Sequence, residues 1–164
     1  MWSTKRITTL ALLIAFASIG ANIKIPSIVG TPALDAFPAF LGALILGPAN
    51  GALVAALGHI LSSLTVGFPL TLPIHLLIAA GMAGIVALYA VISRYSLWWG
   101  LAAGILLNGI LFPAIFIPIP GFGKAFFIAM YVPLLVASAL NIILAKVVFK
   151  FLKPVFTDNY VSNK

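Results

Sequence analysis

The chain has 164 residues, of which 63% are hydrophobic and only 7% charged, with a mean hydropathy of +1.25. Soluble domains carry about 25% charged residues, so an ordinary soluble fold is excluded and residues 1–164 read as one integral membrane domain with short tails. The net charge of +7 comes from nine scattered basic residues without a dense run, which speaks against nucleic acid as a partner, and the lack of cysteine removes disulfides and thiolate metal sites.

Period-two alternation is absent, and an open sheet cannot satisfy its backbone in lipid, so an all-α bundle is expected. Six transmembrane helices are predicted, at roughly 5–22, 35–46, 49–66, 71–92, 97–116 and 124–152. The first follows Lys5 and Arg6 like a secretory signal, but everything downstream is equally apolar, so it is read as an uncleaved span. Pro26, Gly30 and Pro32 end it. The second segment stops at Gly47-Pro48 and reaches only about 18 Å, well under the ~30 Å hydrocarbon core. Its shortness predicts an indentation on one side of the bundle. Phe68-Pro69 and Pro73 mark the turn into the fourth span, with Pro73 suited to the first turn of a helix. Ser93-Arg94-Tyr95-Ser96 is a polar loop. Pro113, Pro118, Pro120, Gly121 and Gly123 form a rigid loop before the last helix.

With six spans and both termini cytoplasmic, the inner side holds Lys5, Arg6, Arg94, Lys146, Lys150, Lys153 and Lys164, and the outer side only Lys24 and Lys124. The positive-inside rule then orients the bundle. Trp98 and Trp99 are placed at the inner headgroup level, anchoring the start of the fifth helix.

The unusual polar residues gather at the outer end: Asn22, Lys24, Asp35, His59, His75, Asn108 and Lys124. Such groups are expensive at that depth and usually serve a ligand or a pathway. His59, Ser62 and Ser63 share a face of the third helix by their i, i+3, i+4 spacing. His59 lies roughly 10 Å below the outer end of its helix and Asn108 about 12 Å below that of the fifth. His75 opens the fourth helix at a similar level, and Lys124 and Tyr131 fall on one side of the sixth. Phe37, Phe68, Phe116, Phe122, Phe126, Phe127 and Tyr131 add aromatic surface. Aromatic walls with a few fixed polar groups describe a pocket for a planar organic molecule. Each polar group also has a structural reading, since a lone Asn or His can simply bond a neighbouring helix for about 0.6 to 2 kcal/mol. Asp35 has three readings: cap of the second helix, partner of Lys24, or ligand contact. Ser138 and Asn141, in the inner half, read as interhelix bonds.

Small residues recur at Ala11 and Ala15, Ala17 and Ala21, and at Ala79, Ala80, Ala83 and Gly84, a spacing that lets another helix approach closely. No glycine-rich phosphate loop and no HExxH occur, and Asp35 and Asp158 are the only acids. The protein is therefore read as no enzyme, with no directly bound cofactor and no metal. Two readings of other classes stay open: an intramembrane metal-dependent enzyme using His59, His75 and Asp35, and a structural assembly protein acting through its small-residue faces.

Across all six spans the chain resembles the substrate-binding S components of energy-coupling factor (ECF) vitamin transporters of bacteria. The size, the short second helix and Ala11-Leu12-Leu13-Ile14-Ala15, similar to the family's A-x-x-x-A docking motif, carry the resemblance. Ile23-Lys24-Ile25-Pro26, Thr31-Pro32-Ala33-Leu34-Asp35, Gly58-His59, Gly67-Phe68-Pro69-Leu70 and Pro73-Ile74-His75 look like the branch assigned to α-ribazole, a cobalamin precursor. The resemblance implies a multi-pass cell-membrane protein that binds a vitamin from outside. It implies docking through Ala11 and Ala15 onto a transmembrane coupling subunit driven by two cytosolic ATPases, which use the ATP. The implied substrate contacts are Asn22, Lys24, Asp35, His59, Ser62, Ser63, His75, Asn108 and Lys124, with Phe127 and Tyr131 as stacking groups. Riboflavin-, thiamine- and nicotinate-like ligands fit the same residues.

Overall fold

A computed structural model of the chain describes residues 3–28 and 30–161, with side chains as far as residue 154. Lys164, counted above on the inner side, lies outside the described residues. Six helices run antiparallel in chain order: α1 Thr4–Gly20, α2 Phe37–Leu46, α3 Pro48–Thr65, α4 Leu72–Ser93, α5 Leu97–Ala114 and α6 Gly123–Val161. All six agree with the predicted spans within a few residues except at the far end of α6, which continues through Pro154. Three of them, α4, α5 and the Gly123–Pro154 part of α6, are long and apolar enough to cross a bilayer. The others differ for visible reasons. α1 has 17 residues and α2 only 10, and α3, with 18, carries Asn50, His59, Ser62 and Ser63.

Glycine and proline set the turns. Gly47, at φ 89°, ends α2 and precedes Pro48 at the start of α3. That left-handed backbone is open to glycine without a Cβ clash. α2 spans about 15 Å at the usual helical rise. The remaining depth is filled by the preceding loop, which doubles back on itself through Ile25 N–H to Pro32 O (2.8 Å) and Leu34 N–H to Ile23 O (3.1 Å). Gly20 permits this return, because a Cβ there would collide with the Leu34 carbonyl.

α2 is the most enclosed helix, with Pro38 through Ala43 all buried. Around it Phe40, Val54, Val86, Tyr89 and Ile142 form the tightest part of the core. Phe40 meets Tyr89 edge to face at 5.0 Å and 84°, a favoured aromatic geometry. Side chains tie helices together at the end where α1, α3 and α5 begin. Arg6 Nε and Nη2 donate to Asn50 Oδ1 at 3.0 and 2.7 Å, and Lys146 lies over the exposed Trp98 ring.

α5 is interrupted by a π-helical turn at Leu107–Leu111. Pro113 has no N–H to give the Gly109 carbonyl four residues back, and the ladder shifts so that Phe112 N–H bonds Leu107 O. The extra residue in the turn presents Asn108 inward. Gly109 lets α6 come close, since a Cβ there would sit 2.7 Å from Leu135 Cα.

Candidate functional site

Bringing the 21–36 loop and the 66–71 loop together with the parts of α3 to α6 nearest them leaves a cavity of about 150 Å³. Six of the predicted substrate contacts line it: Asp35, His59, Ser62, Ser63, His75 and Asn108. Their neighbours are apolar, notably Phe112, Phe116, Phe126, Met82 and Met130. Among the described residues no Lys or Arg borders it.

The α3–α4 wall is a continuous hydrogen-bonded chain. Ser62 Oγ–H contacts Asp35 Oδ2 at 2.9 Å and the His59 carbonyl at 3.1 Å, tying the loop to α3. One turn on from His59, Ser63 Oγ lies 3.3 Å from His59 Nε2 and 2.9 Å from His75 Nδ1, and those nitrogens are 3.1 Å apart. Leu70 N–H donates to His75 Nε2 at 3.4 Å. His75 is buried, and the Phe68 ring stands 5.6 Å from its own. The i, i+4 spacing of His59 and Ser63 on α3 makes this meeting possible. His75 joins them because the 66–71 loop is short enough to start α4 against the same level. Asp35 does not cap α2: the N-cap residue is Ala36, and no side chain bonds it there. Nor does Asp35 pair with Lys24 among the described residues.

The α5–α6 wall is bonded differently. Asn108 Nδ2 donates to Ser138 Oγ at 2.9 Å, and Ser138 donates onward to the Leu134 carbonyl. Asn141 Oδ1 accepts from Phe37 N–H at 2.6 Å, while its Nδ2 donates to the Ala33 and Ala137 carbonyls at 2.9 and 2.8 Å. Asn141 thus satisfies an orphan amide at the start of the short α2 and pins the loop before it. Ser138 and Asn141 both serve as interhelix bonds, as expected, and Asn141 also reaches the cavity wall.

Five predicted contacts stand elsewhere. Asn22 folds back on α1, donating to the Ser18 and Ile19 carbonyls at 3.0 and 3.3 Å. Lys24 and Lys124 are exposed at the rim. Phe127 and Tyr131 stack on one another with centroids 5.7 Å apart, and Tyr131 is exposed. The cavity face of α6 lies about 100° around, where Phe126, Met130, Leu134, Ala137 and Asn141 follow at intervals of three and four. Ala11 and Ala15 are exposed on α1, which packs on α2 and α3 through Leu10, Leu13 and Ala17 instead. Among the described residues no three His, Asp or Glu side chains gather as a metal-binding group, and the His59–His75 pair offers two nitrogens.

A family model described as "ECF transporter, substrate-specific component" matches residues 5–152. A solved structure described as the S component of a bacterial ECF transporter is similar with a TM-score of 0.68, covering 92% of this chain and 96% of that one at 17% identity. At that identity the likeness concerns the fold. Comparison with curated proteins gives no match.

Proposed function

Because the chain belongs to the family of ECF transporter substrate-specific components, we propose that the cavity between α3, α4, α5 and α6 receives its substrate, with α-ribazole as the ligand. Members of this family are transport components rather than a class of enzyme, bind small molecules, and work with a membrane coupling subunit and ATPases. The observation that carries the reading is the two-sided cavity, with Asp35, Ser62 and His59 on one side and Phe112, Phe116, Phe126 and Met130 on the other. Hydroxyls of a sugar suit the first side and a flat benzimidazole the second. A wall without Lys or Arg disfavours carboxylated ligands of the nicotinate type, whose charge would be buried without a partner.

The cavity is smaller than the roughly 300–1,000 Å³ of drug-sized pockets. A nucleoside would enter as the 21–36 loop or the 66–71 loop moves outward, and their return would exclude water. With both termini cytoplasmic, these loops face the exterior. The exposed Ala11–Ala15 face would meet the coupling subunit, which supplies ATP-driven turnover.

Titration calorimetry of the purified full chain in nanodiscs tests the ligand: saturable α-ribazole binding is expected. Binding of riboflavin, thiamine or nicotinate with none of α-ribazole would replace it. The docking role predicts that Ala11→Trp retains α-ribazole affinity within about twofold yet stops uptake by cells expressing the complete transporter. Loss of binding in that variant would contradict the separation of the two surfaces.

A further inference from the structure

The hydrogen atoms of the α3–α4 wall can be assigned from its heavy-atom geometry. Two imidazole nitrogens 3.1 Å apart form a hydrogen bond only if one carries hydrogen and the other a lone pair. Symmetry between His59 Nε2 and His75 Nδ1 is broken by the backbone. Leu70 N–H points at His75 Nε2, so that nitrogen accepts, and the hydrogen of a neutral His75 ring sits on Nδ1. His75 Nδ1–H then donates to Ser63 Oγ, at 2.9 Å, and towards His59 Nε2. Having accepted, the Ser63 hydroxyl has its own hydrogen free for His59 Nε2 at 3.3 Å. Either route makes His59 Nε2 an acceptor. The His59 hydrogen is left on Nδ1.

His59 Nδ1 has no hydrogen-bond partner among the described residues, and it is not one of the buried unpartnered polar atoms, which are Ser18 Oγ and Ser93 Oγ. It is therefore not sealed off, and it belongs to a residue that lines the cavity. The loop that aims Leu70 holds two non-glycine residues in the left-handed region, Phe68 at φ 50° and Thr71 at φ 75°. Such conformations persist where the surroundings over-determine them, and they cluster at ligand sites.

We infer that the Leu70 amide, relayed through His75 and Ser63, fixes His59 as the Nδ1–H tautomer, so that His59 offers the ligand a hydrogen-bond donor close to the acceptor Asp35. His75 and Ser63 are positioning residues for that donor. The ligand group opposite His59 is then an acceptor, an unprotonated ring nitrogen or a hydroxyl oxygen, and the group opposite Asp35 is a donor. The ligand part of this inference rests on the function proposed above. The tautomer belongs to the protein alone.

Long-range proton–nitrogen correlation spectra of the ¹⁵N-histidine-labelled full chain, in nanodiscs without ligand, test it. Hydrogen on Nδ1 and a bare Nε2 are expected at both His59 and His75, and Leu70→Pro, which deletes the amide, should introduce the other tautomer at both. A hydrogen on His59 Nε2 in the unaltered protein would overturn the assignment, as would unchanged spectra in Leu70→Pro. Should Leu70→Pro fail to fold, His75→Asn and His75→Phe discriminate. The Asn amide can replace the Nδ1–H donor and should keep α-ribazole affinity within about threefold, whereas Phe should lose roughly tenfold. Equal losses would contradict the relay. If the unaltered protein binds no α-ribazole, the proposed ligand fails while the spectra still decide the tautomer.

Discussion

The two walls of the cavity use similar residues to different ends. On the α5–α6 side Asn141 spends both ends of its amide on Phe37 N–H and on the Ala33 and Ala137 carbonyls, and Ser138 is fully enclosed between Asn108 and Leu134. On the α3–α4 side the chain from Leu70 through His75 and Ser63 ends at His59 with one ring nitrogen unused, and Asp35 is held at the surface of the cavity by Ser62. A polar side chain in an apolar bundle is thus read by what remains of its bonding capacity. Spent groups fasten helices; unspent ones stay available to a ligand.

Substitutions can break this contrast. The largest effect is expected at Asn141→Ala, which strands the Phe37 N–H and the Ala33 carbonyl beside it and should destabilise the fold by about 2–3 kcal/mol in reversible unfolding. A loss under about 0.5 kcal/mol would show that the α5–α6 wall is not the fastening one. His59→Ala should leave unfolding unchanged and weaken α-ribazole binding roughly tenfold, about 1.4 kcal/mol. Asn108→Ala belongs between the walls, because its amide nitrogen is spent on Ser138 while its oxygen has no partner among the described residues. It should cost about threefold in affinity and about 1 kcal/mol in stability, measured on the same samples. The smallest effect is expected for Lys24→Gln and Lys124→Gln, exposed at the rim, with less than about twofold change in affinity.

Much of the fold was legible because glycine and proline punctuate it. Gly47-Pro48, Pro73 and the 118–123 run mark real turns, whereas Pro113, expected in that last loop, stays inside α5, and the short α2 follows from the distance between Asp35 and Gly47. The shared depth of His59, Ser63 and His75 was legible too, since helical rise fixes depth from sequence position alone. Rotation about the helix axis was not. In α6 every face is apolar, so nothing in the pattern favours Phe126 and Met130 over Phe127 and Tyr131 as the inward pair. Bonding partners were equally hidden where they are backbone groups far along the chain, as with Phe37 N–H and Asn141. The π-helical turn around Asn108 has its cause in Pro113, although proline alone does not say whether a helix will kink, stop or widen.

A small molecule is expected to sit against the α3–α4 wall, where bonding capacity remains. Mass spectrometry of what co-purifies with the chain from rich medium tests it without prior choice of ligand. A neutral, hydroxyl-bearing heterocycle is expected at close to one per protein, depleted in His59→Ala with folding intact. The same compound retained in full by His59→Ala would contradict it.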